Sequence, residues 1–297
     1  MRAAILLLLA AMAARDADQT TCRVQTEVVR IDVLVERNGQ PVADLVATDF
    51  IVEDDGVRQR IKLLPAAETV TVSTVLDVSG SMTAAELNNA GAGVRAVMAA
   101  LHVRDRHALY AFAGDVRRIA LPEKQHSLSA DWLAHALRRT SGPRTSLCDA
   151  LFAAILQSDV VAGPKLATVL TDGRNNTSWL SARSVIDAAV RHETVIYPVA
   201  VGADSSGHPA DVPPMLGNDA LRLLQLLAER TGGRVIHADR SRDLGPVFGA
   251  LIREYRQRYI LSFVPEGVAR GDGWHRLAVK LRNRAGEVHA RSGYWSR

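Results

Sequence analysis

The chain has 297 residues, of which 47% are hydrophobic and 23% charged; these are globular proportions and exclude a largely disordered, collagen-like or polytopic membrane chain. Aromatic residues make up only 5%, too few for the stacking platforms of a single-strand nucleic-acid binder. The net charge of +4 is a weak pull on a polyanion and is unevenly placed: residues 252–297 hold ten Arg or Lys against four Asp or Glu, which leaves the rest of the chain at −2.

The first fourteen residues read MRAAILLLLAAMAA, with a positive Arg2, an apolar run and a small-x-small Ala11-Met12-Ala13. The pattern predicts a secretory signal peptide over 1–14. The run is too short for a bilayer, which takes about 20 residues. No other long apolar segment follows. The expectation is an exported chain, periplasmic or secreted, with no transmembrane span once the leader is removed. Gln19-Thr20-Thr21 before Cys22 lacks the small apolar pattern of a lipoprotein signal. Cys22 and Cys148 supply neither a disulfide framework nor a CxxC zinc pair.

Val29, Ile31, Val33 and Val35 alternate with Arg30, Asp32, Leu34 and Glu36, the pattern of a half-buried strand. Asn38-Gly39 is a strong short hairpin signal. Residues 50–53 and 58–64 read as two more strands, separated by Asp54-Asp55-Gly56. The N-terminal β unit, 22–66, is too small to bury a core alone and needs a partner elsewhere in the chain.

The pattern changes at Val70. Residues 70–76 form a continuous β-branched and apolar run, the mark of a strand covered on both faces. A helix follows over 84–101, then a hairpin-like strand pair over 107–121, and helices near 129–139 and 146–158. Next come a strand over 166–171, a helix over 181–191, a strand over 194–201 and a helix over 220–231 ended by Gly232-Gly233. A short strand over 234–237 and a linking helix over 241–257 complete the series. Strands alternating with helices predict a doubly wound α/β domain with a mostly parallel sheet over 68–240.

Residues 258–297 return to β, with strands over 259–264 and 288–294 and a turn at Gly271-Asp272-Gly273. Between them Leu277, Val279 and Leu281 face one way while Arg276, Lys280 and Arg282 face the other. The two chain ends are expected to pack together as a small sandwich-like accessory β unit. The three cations read as the solvent face of one of its strands.

The residues that carry chemistry cluster where buried strands end. The 70–76 run leads into Asp77-Val78-Ser79-Gly80-Ser81, a carboxylate and two hydroxyls at alternate positions. A loop leaving the strand there turns three oxygens toward one point. Hard cations such as Mg²⁺ take oxygen ligands and keep several waters. A second carboxylate, Asp172, ends the 166–171 strand in Thr171-Asp172-Gly173. Between them Ser141-Gly142-Pro143-Arg144-Thr145 enters a helix at Ser146, and Thr145 adds a third hydroxyl. In open α/β sheets, the crevice at the carboxyl ends of the strands where chain order reverses is where ligands bind.

Asp77-x-Ser79-x-Ser81, Thr145 and Asp172 in Thr-Asp-Gly resemble the metal-ion-dependent adhesion site of von Willebrand factor type A domains over residues 68–239. The flanks are similar to a secreted bacterial subfamily, the acidobacterial-type type-A-related proteins. The matching segments are Gly39-Gln40-Pro41-Val42, the run from Asp49 to Gly56, Gly273-Trp274-His275 and Arg291-Ser292-Gly293-Tyr294. The resemblance implies that Ser79 and Ser81 bind a divalent cation directly, and Thr145 directly or through water. It implies that Asp77 and Asp172 act mainly through bound waters. Mg²⁺ is the expected ion, with Mn²⁺ or Ca²⁺ as alternatives. A protein partner's exposed Asp or Glu carboxylate would complete the coordination, beside loops that include Gly142, Arg144 and Gly173. Nucleic acid is not an expected partner.

Three rival readings compete with this one. The first is an assembly protein that binds through its β unit, with the metal only stabilising the fold. The second is a haloacid-dehalogenase-like phosphatase, which also places an aspartate after the first buried strand; its second carboxylate, two residues on, is here Ser79. The third is a serine hydrolase, whose Gly-x-Ser-x-Gly elbow this chain lacks at Ser79. His192-Glu193 has no second His to make a zinc-protease motif. Cys148, in the first turn of a helix, reads either as a thiol of lowered pKa or as a small buried hydrophobe. The Gly-, Ser- and Pro-rich stretch 202–216 is expected to emerge on the same face as the metal ligands.

Overall fold

Six strands form the central sheet: β6 (Thr71–Asp77), β7 (Arg106–Phe112), β8 (Val116–Lys124), β9 (Lys165–Thr171), β10 (Thr194–Val201) and β11 (Ile236–Ala238). Their order is β11-β10-β9-β6-β7-β8. All neighbours run parallel except β7 and β8, which form the expected antiparallel pair. Strand β6 lies between β7 and β9, so chain order reverses at the β6–β9 boundary. Every residue of β6 and β10 is buried, as their unbroken apolar runs require.

These features come from a computed structural model, which describes residues 28–67, 69–124, 143–158, 163–201, 214–239, 243–269 and 273–296. The expected signal peptide, Cys22, the helix near 129–139, Gly142, the stretch 202–213 and the turn residues Gly271 and Asp272 lie outside the described residues.

Among the described residues, five helices cover the sheet: α1 (Ala84–Ala100), α2 (Leu147–Ser158), α3 (Ala182–Arg191), α4 (Pro214–Thr231) and α5 (Leu244–Tyr255). Alternate residues of each strand feed opposite layers. On one face Leu76 and Leu109 pack with Val94 and Val97 of α1 and with Phe248 and Leu251 of α5. On the other, Val75 and Tyr110 pack with Leu151 of α2, Val185 of α3 and Leu224 of α4. Helix α5, expected as a linker, thus contributes to the central core. Helix α4 begins six residues before the expected 220, with Pro214 in its first turn, where a missing N–H breaks no helical bond.

The chain ends supply nine further strands. They are β1 (Val29–Arg37), β2 (Gln40–Pro41), β3 (Phe50–Asp54), β4 (Val57–Arg58), β5 (Ile61–Leu64), β12 (Tyr259–Phe263), β13 (Gly273–Leu281), β14 (Glu287–His289) and β15 (Gly293–Ser296). One sheet is β14-β1-β12-β5, with β2 on β1; the other is β15-β13-β3-β4. Both are antiparallel. Ile31, Val33, Leu261 and Phe263 of the first share a core with Phe50, Val52, Leu277 and Tyr294 of the second. Asn38 and Gly39 turn β1 into β2 with φ of 51° and 70°, the doubly left-handed hairpin their sequence predicts.

Two expected strands are each divided. Residues 58–64 break at Gln59, whose buried side chain donates to Val57 O and Glu266 O and accepts from Glu266 N–H. That bonding lets the chain cross between sheets, so β4 and β5 join different ones. Residues 288–294 break at Arg291, which turns inward to pair with Glu193 at 2.9 Å and to donate to Arg30 O.

The β unit sits against the amino ends of the central strands. Arg258 is buried there and donates to Asp32 O at 3.1 Å, to the Tyr197 hydroxyl at 2.8 Å and to Gly232 O. Arg191, at the end of α3, stacks 4.2 Å above the Trp295 ring. The opposite end of the sheet, where β6 and β9 finish, is left to the candidate site.

Candidate metal centre

Strand β6 finishes at Asp77, whose side chain is completely buried. Both carboxylate oxygens are held: Ser79 N–H donates to Oδ1 at 2.9 Å and the Thr171 hydroxyl to Oδ2 at 2.7 Å. Met82 N–H donates to Ser79 O and closes a turn. In that turn the Ser79 and Ser81 hydroxyl oxygens stand 3.0 Å apart. Thr83 then starts α1 as its cap, with Glu86 completing a capping box.

Strand β9 brings the second carboxylate. Leu76 is level with Leu170 across the parallel pair, so Asp77 stands beside Thr171 and Asp172 follows one residue on. Gly173 follows at φ +84°, a left-handed turn, and its N–H bonds back to the Thr171 hydroxyl at 3.1 Å. An added Cβ there would also stand 3.3 Å from the Leu221 side chain, so this position favours glycine twice over. Asp172 Oδ1 accepts from Arg174 N–H at 3.2 Å. Asp172 Oδ2 is buried and accepts no hydrogen bond among the described residues; the Arg174 guanidinium stands 3.5 Å away.

Thr145, 1% exposed, lies in the loop just before α2 and adds a further oxygen at this end of the sheet. Its N–H donates to Asn176 Oδ1 at 2.8 Å, and its carbonyl accepts from Asn176 and Thr177 N–H. The next backbone donors are taken in turn. Ser146 N–H goes to Ala113 O, Leu147 N–H to Asn175 Oδ1 at 3.2 Å, and Cys148 N–H to the Ser178 hydroxyl at 3.0 Å. The first turn of a helix leaves its N–H groups without intrahelical partners. Here the loop after β9 satisfies the Leu147 and Cys148 donors and welds the Thr145 loop to the Asp172 loop. Sequence reasoning missed Thr171, Asn175 and Asn176 in this role. The only signal was the polar run Asn175-Asn176-Thr177-Ser178, which reads as an ordinary loop or a glycosylation-like sequon.

Asp77, Ser79, Ser81, Thr145 and Asp172 therefore come from three loops at one end of the sheet that are bonded to one another. Arg144 is exposed at their rim. Burial pushes the Asp77 carboxyl up to about 6, and the charge of Asp172 adds to the rise against the hydrogen bonds from Ser79 and Thr171. Two carboxylates in mutual repulsion, one with an unbonded buried oxygen, beside three hydroxyls, are a donor set that fits a hard divalent cation. Cys148 is a separate matter. Its thiol is buried, accepts from Asn175 Nδ2 at 3.3 Å, and is pushed up by that burial rather than lowered by the helix end.

A family model for the von Willebrand factor type A domain matches residues 72–248. The chain belongs to that family. Type A domains are commonly metal-dependent interaction modules and are usually non-catalytic. No curated protein matches the chain in sequence. Among solved structures, the fold is similar to proximal thread matrix protein 1 of the mussel byssus, at 16% identity and a TM-score of 0.50 over 67% of this chain and 49% of that one. That protein has also been solved with a zinc-occupied metal-ion-dependent adhesion motif. BatB of Bacteroides thetaiotaomicron matches at 21% identity and a TM-score of 0.47, covering 62% of this chain and 96% of that one. A type A protein of Catenulispora acidiphila matches at 14% identity and a TM-score of 0.49, covering 92% and 74%. Among the described residues of this type A protein, no helix is long and apolar enough to cross a membrane.

Proposed function

We propose that this type A protein is an exported interaction module that binds a protein partner's carboxylate through a divalent cation. In this reading Ser79, Ser81 and Thr145 hold the cation, with Asp77 and Asp172 behind them. A bound cation supplies an open coordination position that an Asp or Glu of the partner completes. The protein's own part is to fix five oxygen donors on three bonded loops and to keep the two carboxylates dry enough to need a cation. The observation that carries the reading is the buried Oδ2 of Asp172, which accepts no hydrogen bond among the described residues and has the Arg174 guanidinium 3.5 Å away, beside the buried carboxylate of Asp77. Mg²⁺ is the proposed ion. Export is proposed from the leader-like residues 1–14, and the flanking motifs support membership of the acidobacterial-type branch of the family.

The test is thermal unfolding with and without Mg²⁺, on the wild type and on a Ser79→Ala/Ser81→Ala double variant. A ligand of the folded state at 100 times its dissociation constant adds about 2.7 kcal/mol. For a domain of this size that raises Tm by about 5–10 °C. The double variant should show no such rise. Absence of a shift in the wild type across millimolar Mg²⁺ or Mn²⁺ sinks the reading, and an equal shift in the variant places the ion elsewhere. Partner binding that survives chelation would favour an assembly protein acting through the β unit.

A further inference from the structure

The loop that carries Asp172 runs on to the start of α3, and its one exposed large apolar residue is Trp179. The residue is 97% exposed. Trp274 and Trp295, by contrast, pack edge to face with centroids 5.8 Å apart. An indole carries some 150–250 Å² of mostly apolar surface, and Trp is enriched among the residues that dominate binding energy at interfaces. The backbone beneath this ring is held. Trp179 N–H donates to Asp149 Oδ2 at 3.0 Å and Leu180 N–H to Asp149 Oδ1 at 2.9 Å. Ser181 then caps α3 by accepting from Ser184 N–H at 3.1 Å. Presenting the ring on a fixed stem lowers the ordering cost of using it in binding.

Its position matters as much as its exposure. Trp179 stands between the first turns of α2 and α3, which both begin at the carboxyl end of the sheet, where Asp77 and Asp172 lie. Asp149 lies in the first turn of α2, which begins two residues after Thr145. An extended chain covers about 3.5 Å per residue. A partner whose carboxylate reaches the candidate metal centre therefore lies at the same end of the sheet as the indole. The exposed guanidinium of Arg144 stands at the same rim and favours an acidic chain, while Arg174 beside it is paired with Asp172 at 3.5 Å.

We propose that Trp179 is a second contact for the partner of the metal centre and sets its specificity. The ligand class is an acidic peptide segment with an apolar side chain within three residues of the Asp or Glu that seeks the cation. This rests on the metal-dependent reading above.

The test uses the full chain in Mg²⁺ against immobilised Gly/Ser peptides. Each holds one Asp and either no apolar residue or a single Leu or Phe one, two or three positions from it. The wild type should bind the apolar-flanked peptides at least tenfold more tightly than the plain ones. Trp179→Ala should lose that preference but keep Mg²⁺-dependent binding to the Asp, and Trp179→Phe should retain most of it. The Mg²⁺-induced thermal shift of Trp179→Ala should equal the wild type's, since an exposed ring does not support the fold. A preference that persists in Trp179→Ala, a wild type without preference, or a Trp179→Ala chain that fails to fold overturns the inference and leaves the metal reading standing. No binding at all, or binding that survives EDTA, Asp→Asn in the peptide or Ser79→Ala/Ser81→Ala, overturns the reading beneath it.

Discussion

Asn176 holds Thr145 from both sides, accepting from its N–H and donating its own N–H to its carbonyl. Removing the side chain in Asn176→Ala leaves the Thr145 N–H, in a buried residue, without its acceptor, at a cost of about 1–3 kcal/mol. The Thr145 hydroxyl then loses its fixed place. The expected outcome is a lower Tm without metal and a right-shifted Mg²⁺ titration of Tm, whereas a variant that loses only stability would keep the wild-type midpoint. Cys148 gives a second check at this scale. Burial raises its thiol pKa, so at pH 8 the folded protein holds less thiolate than an exposed cysteine does. In a Cys22→Ser background, a disulfide reagent at pH 8 should label Cys148 slowly in buffer and rapidly in guanidinium. Fast labelling of the folded chain would show an accessible, activated thiol instead. The Asp77, Ser79 and Ser81 trio was legible because five consecutive residues carry it. Asn175 and Asn176 were not, because their partners Leu147 and Thr145 lie about thirty residues away and an Asn-Asn-Thr-Ser run resembles any loop.

At the scale of elements, period and punctuation located the buried strands but not where a strand changes sheet. The alternation through 58–64 and 288–294 is continuous in sequence. Only the bonds made by Gln59 and Arg291 across the fold show that each run serves two sheets. The same unit hides a polar cluster inside its core. His275 stacks on Tyr294 with centroids 4.9 Å apart, and its Nδ1 lies 3.0 Å from Asp54 Oδ1 and 3.3 Å from Asp55 Oδ2. The Tyr294 hydroxyl donates to Asp54 Oδ2 at 2.7 Å. Asp54 is fully buried, so that donor offsets part of its desolvation. Tyr294→Phe keeps the ring packing and removes only the donor. It should cost about 1–3 kcal/mol in urea unfolding, against no change if water replaces the hydroxyl. The variant's Mg²⁺ response should be unaltered.

Over the whole molecule, the basic C-terminal segment has a different meaning from the one its composition implies. Lys280 does face outward and pairs with Glu53 at 2.8 Å, as the alternation indicates. Arg256, Arg258 and Arg291 instead turn inward: Arg256 pairs with the buried Asp105, and the other two bolt the β unit to the amino end of the sheet. Charge counting cannot see this, since an arginine that donates to backbone carbonyls leaves no acidic partner in the sequence. Arg258 is the test case. It donates to Asp32 O, Tyr197 Oη and Gly232 O and lies over the rings of Tyr197 and Tyr255. Arg258→Met roughly conserves volume but removes every one of those donors, leaving three buried acceptors short. At about 1 kcal/mol or more for each, the loss should reach about 3 kcal/mol and lower Tm by about 6–12 °C. The junction lies at the end of the sheet away from Asp77 and Asp172, and well-separated, unconnected sites contribute nearly additively. The Mg²⁺-induced rise in Tm should therefore survive in Arg258→Met at its wild-type size from the lower baseline. A rise that shrinks in step with the lost stability would instead show that the β unit and the metal centre are coupled through the sheet.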